Sequence, residues 1–97
     1  MGKRGELKPM DAFEQSIRDS AVGFNVVMFQ PGVSSRVYQS FDSLPMAIDY
    51  SKSVLKEPNK IRSAMIYAID KHEHHALVGT VKRSDCEYKQ VIPSRYT

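Results

Sequence analysis

Between positions 44 and 55 the apolar residues recur at intervals of three and four. Leu44, Ala47, Ile48, Ser51, Val54 and Leu55 fall on one stripe of a helical period, with Asp49, Lys52, Ser53 and Lys56 opposite. Asp42 or Ser43 is placed to cap this segment, Pro45 is tolerated in a first turn, and Pro58 ends it. The pattern predicts an amphipathic helix that packs one face on a sheet. A weaker helical spacing of Met10, Phe13 and Ile17 predicts a shorter helix over residues 10–20. Asp11 and Glu14 sit in its first turn, where the helix dipole favours anions. A helix that short is marginal alone, so Phe13 and Ile17 must dock on the rest of the chain.

The remaining apolar segments have strand character. Residues 24–29 (Phe-Asn-Val-Val-Met-Phe) are β-branched and aromatic, Pro31-Gly32 supplies turn chemistry, and residues 34–41 give a weaker return strand. Residues 61–70 and 75–83 form a second pair joined across Lys71-His72-Glu73-His74. A simple hairpin sets Ile66 opposite Gly79 and Tyr67 opposite Val78. One face then carries Met65, Tyr67, Ile69, Ala76, Val78 and Thr80, and the other Ala64, Ile66, Ala68, Leu77, Gly79 and Val81. Both faces are largely apolar, which implies central strands covered on both sides, or on one side by a partner. Gly79 in mid-strand points to a bulge or to close approach of another backbone. No element is assigned after Ser84, where Val91-Ile92 is a short apolar patch.

The expected fold is therefore α+β: a short N-terminal helix, then β-β-α-β-β, with antiparallel hairpins and the amphipathic helix packed on the sheet. Strand order stays open, a mixed sheet being the alternative. The expected organisation is a flexible basic leader over 1–9, a single domain over 10–92 and a C-terminal tail over 93–97.

A chain of 97 residues that is 41% hydrophobic and 26% charged suits one globular domain. Its net charge of +3 and pI near 9.1 admit nucleic acid as a partner without requiring it. Cys86 is the single cysteine, which excludes an intrachain disulfide and suits a reducing compartment. No apolar run approaches the about 20 residues of a membrane span. The N-terminus has no signal-peptide pattern, and Glu6 stands where a myristoylation motif needs Ser or Thr. A cytoplasmic protein with no membrane partner is the expectation.

Chemistry-bearing constellations are sparse. Asp70, His72 and His74 cluster at the second hairpin's turn, and imidazoles there could face a metal; the reading adopted is a solvated hairpin tip, with no metal ligand assigned. Asp85 and Glu87 flank Cys86 and disfavour its thiolate, so it is not assigned as a nucleophile. No phosphate-cradling glycine loop or nucleophile elbow occurs. No catalytic residue and no cofactor is assigned, and the chain is expected not to be an enzyme.

The leading expectation is a non-catalytic interaction module that binds a protein partner or itself, with homodimerisation as one form. Met46 and Tyr50 are one i,i+4 step apart, away from the core stripe, and Tyr67 lies in the doubly apolar hairpin; these three are the candidate partner-binding residues. The alternative is a nucleic-acid-binding protein using Arg62, Lys82, Arg83, Lys52 and Lys56. In it Arg62 and Arg83 face each other at the hairpin's open end, where like charges cost stability unless solvated or bound to an anion.

Overall fold

Ser43 caps the main helix: its Oγ accepts the Met46 N–H at 3.4 Å, and Pro45 occupies the first turn. In the computed structural model, residues 9–34 and 36–91 are described, with side chains for 12–34 and 39–91. The expected leader up to residue 8, the tail over 93–97 and the side chains of Met10 and Asp11 lie outside the described residues. Pro9 opens α1, a position where its missing N–H costs nothing. In chain order the elements are α1 (Pro9–Asp19), β1 (Gly23–Phe29), β2 (Arg36–Phe41), α2 (Leu44–Lys56), β3 (Ser63–Ile69), β4 (His75–Lys82) and β5 (Tyr88–Gln90).

The strands form one five-stranded sheet in the order β2-β1-β3-β4-β5, antiparallel throughout. The two expected hairpins are joined through β1 and β3, where Val26 pairs with Ile66 and Met28 with Ala64. This pairing resolves the strand order that the sequence left open.

One correction concerns phase. Ile66 does oppose Gly79, but Tyr67 opposes Leu77 and not Val78. Val78 is an extra residue in β4, a bulge, and every β4 residue before it changes face. Ala76 therefore joins the buried row with Ala68, and Leu77 moves to the side of Met65, Tyr67 and Ile69. The carbonyls at the bulge find partners. Leu77 O accepts from Arg18 Nε at 2.9 Å, and Val78 O accepts from Val91 N at 2.9 Å and from Tyr88 Oη at 3.4 Å.

The core lies between α2 and one face of the sheet. Ala47 and Leu55 of α2 pack with Val26, Met28, Ile61, Ala64, Ile66 and Val81, and Phe24, Phe41, Val54 and Tyr88 close the edges. Ser51 is also buried, and it donates its hydroxyl proton to Ala47 O at 2.8 Å. α1 packs against β3 and β4 and buries Ile17. Burial alternates strictly along β3: Ala64, Ile66 and Ala68 are fully buried, whereas Ser63, Met65, Tyr67 and Ile69 are partly exposed. Such alternation means that the described residues cover the sheet on one face only.

Candidate functional site

The uncovered face is built by the cross-strand register. Asn25, Tyr67 and Leu77 form one row across β1, β3 and β4; Val27, Met65, Thr80 and Lys89 form the next. Ile69 flanks them toward the β3–β4 turn. Val27, Met65, Tyr67, Ile69 and Leu77 are all partly exposed, so five apolar side chains make an open patch. The Tyr67 hydroxyl reaches Met65 Sδ at 3.9 Å, and Ser40 Oγ donates to Asn25 Oδ1 at 2.6 Å, which holds the polar atoms at the patch edge. Among the described residues, charge at the patch is confined to its rim. Lys89 there is paired with Asp85 at 3.0 Å; that contact raises the Lys89 pKa and lowers that of Asp85. An apolar centre with a polar rim is the anatomy of a protein interface.

Met46 and Tyr50 do not join this patch. Met46 is 54% exposed on α2, and Tyr50 is half-buried with its ring 5.2 Å from that of Phe41. Tyr67 lies on the opposite side of the sheet from α2, so the three candidate partner-binding residues are divided between two surfaces.

The candidate basic residues are also divided. The row beyond Met65 is Phe29, Ser63 and Lys82. Together with Arg62, Arg83 and Ser84 it lines a shallow cavity of about 390 Å³. A second cavity of about 310 Å³ adjoins it through Arg62 and is otherwise lined by Pro31, Asn59 and Lys60. Lys52 and Lys56 lie on α2 and line neither.

Arg83 has a different setting from Arg62. Its Nε donates to Ile61 O at 2.6 Å and its Nη1 to Leu55 O at 2.5 Å and Glu57 O at 3.0 Å, while Nη2 donates to Asn59 Oδ1. Four of the five guanidinium donors are thus spent on the C-terminal end of α2 and the loop after it, where a cation also meets the negative end of the helix dipole. Asn59 completes the clamp by accepting from Ile61 N and donating to Val54 O. Arg62 is exposed, and among the described residues it makes no ion pair.

At the β3–β4 turn the Asp70 side chain points inward. Oδ1 accepts from the backbone N–H of His72 at 2.8 Å and of His74 at 2.9 Å, and Oδ2 lies 3.1 Å from His74 Nδ1. Burial works to raise the Asp70 pKa, but these hydrogen bonds outweigh it and hold the carboxyl below its ordinary value. His74 also meets the Phe13 ring edge-on at 5.3 Å, which ties α1 to the turn. Among the described residues no group of three or more His, Cys, Asp and Glu is placed to hold a metal ion. Cys86 is half-buried, with Sγ 3.7 Å from Lys52 O. Among the described residues no helix is long and apolar enough to cross a membrane.

Sequence reasoning missed Leu77 on the open face and Phe29 in the cavity. The mid-strand glycine signalled the bulge that moves Leu77, and nothing in the sequence signals the cavity. Comparison with protein-family models, with curated proteins and with solved structures returned no match.

Proposed function

We propose that this protein is a non-catalytic interaction module that self-associates through the open face of its sheet. The observation that supports the reading is the one-sided cover of a sheet that is apolar on both sides, with Val27, Met65, Tyr67, Ile69 and Leu77 partly exposed together. A second copy is the partner we favour because the centre of the patch is uncharged. Two chains that each carry +3 can meet there with their rim lysines held apart. Face-to-face sheets pack about 10 Å apart with interdigitated side chains, and a two-fold axis near Tyr67 would make the patch its own complement. A half-buried free thiol goes with a reducing compartment, so we place the protein in the cytoplasm.

Sedimentation equilibrium over a wide concentration range tests the reading. The wild type is expected to dimerise, Tyr67→Asp to be monomeric and still folded, and Met46→Asp, on the helix side, to dimerise like the wild type. A wild type that stays monomeric at every concentration, or a Tyr67→Asp protein that still dimerises, overturns it.

A further inference from the structure

We infer that the cleft at the Phe29 end of the sheet binds single-stranded nucleic acid, with Lys60, Arg62 and Lys82 on the phosphates and Phe29 against a base. Three separate segments bring these groups together. Lys60 and Arg62 come from the loop between α2 and β3, Lys82 from the end of β4, and Phe29 from the end of β1. The three cations are exposed, and among the described residues none makes an ion pair and no acidic side chain lines either cavity. Clustered cations without counter-charges disfavour each other, and phosphate relieves that cost.

Arg83 sharpens the assignment. Four of its five donors are committed to Leu55 O, Glu57 O, Ile61 O and Asn59 Oδ1, so its part is to fix the loop that presents Lys60 and Arg62. The charge that is free to bind is therefore Arg62 and the two lysines.

Phe29 decides the class of partner. It is 42% exposed at the end of β1 and lines the same cavity as Arg62 and Lys82. An exposed ring beside cations is a stacking platform for an unpaired base, which a duplex cannot offer. Two adjoining hollows of about 390 and 310 Å³ that share one arginine suit a polymer that repeats a base and a phosphate.

The test is fluorescence anisotropy with a labelled short single-stranded oligonucleotide, as RNA and as DNA, beside the matching duplex. Wild-type protein is expected to bind the single strand more tightly than the duplex, with affinity falling steeply as salt rises. Phe29→Ala is expected to weaken binding about tenfold. Arg62→Glu and Lys82→Glu are expected to weaken it and to lower the salt slope, while Lys56→Glu, outside the cleft, leaves both nearly unchanged. These positions are exposed, and circular dichroism of each variant checks that it is folded. No binding at low salt, binding indifferent to salt, or full affinity in Arg62→Glu and Lys82→Glu overturns the inference. Equal affinity for duplex together with an unchanged Phe29→Ala overturns the single-strand assignment.

Discussion

The ring of Tyr88 occupies the space that a side chain at Gly79 would need: a Cβ there would lie 2.4–2.5 Å from the ring carbons and the hydroxyl. Gly79 is thus the seat on which β5 is laid against β4, with Tyr88 paired to Val81 in the neighbouring register. Gly79→Ala is expected to destabilise the fold by about 1–3 kcal/mol through overpacking. In a Tyr88→Ala background that cost is expected to vanish, a coupling that urea denaturation of the four proteins of a double-mutant cycle measures directly.

The Arg83 clamp predicts a loss that charge alone does not explain. Arg83→Met removes the donors from Leu55 O and Ile61 O and is expected to cost about 2 kcal/mol. Arg83→Lys keeps the charge but cannot reach four acceptors at once, so it should recover less than half of that loss. Thermal unfolding of the three proteins gives the comparison.

Asp70 predicts a particular pH dependence. Its folded pKa is depressed, so the unfolded chain takes up its proton first as pH falls, and the stability it contributes is present above the unfolded value and lost as pH drops through the folded one. Asp70→Asn keeps an oxygen for the His72 and His74 N–H groups but puts an amide where Oδ2 faces His74. The variant is expected to be less stable near neutrality and flatter toward acid, the two stability curves converging at low pH. Denaturant titrations at several pH values test this, and parallel curves would contradict it.

The bulge at Val78 sets a test of phase. Ala76 is 2% exposed and Leu77 is on the open face, so Ala76→Asp is expected to unfold the protein and Leu77→Asp to leave it folded but monomeric. A hairpin without the bulge predicts the reverse order of damage. Far-ultraviolet circular dichroism with light scattering reads both effects.

The same bulge shows where the sequence stops being legible. Both helices are readable in the sequence, and the α2 cap is narrowed to Asp42 or Ser43, because helical spacing and capping are local properties of neighbouring residues. The β1 and β3 cores were readable for the same reason, each being a short β-branched and aromatic run. Simple alternation puts Leu77 on the wrong face because one extra residue inverts the pattern before it, and no composition marks Val78 as the extra one. β5 is three residues long, and its hold depends on the Gly79–Tyr88 contact and not on a periodic pattern. The hairpin pattern groups Arg83 with Arg62 because the two are neighbours across it, whereas the carbonyls that claim Arg83 come from the end of α2, more than twenty residues earlier. The candidate surface was legible as a doubly apolar hairpin, and only the sheet order shows which side α2 leaves open.

On the reading proposed above, the open sheet face meets a second copy of itself. Isotope-filtered nuclear Overhauser spectra of a mixture of labelled and unlabelled protein test it most directly, because they report only contacts between copies. Cross-peaks from the methyl groups of Val27, Met65, Ile69 and Leu77 and from the Tyr67 ring are the predicted result. Intermolecular peaks from the Met46 methyl in their place, or none at all at high concentration, would contradict it.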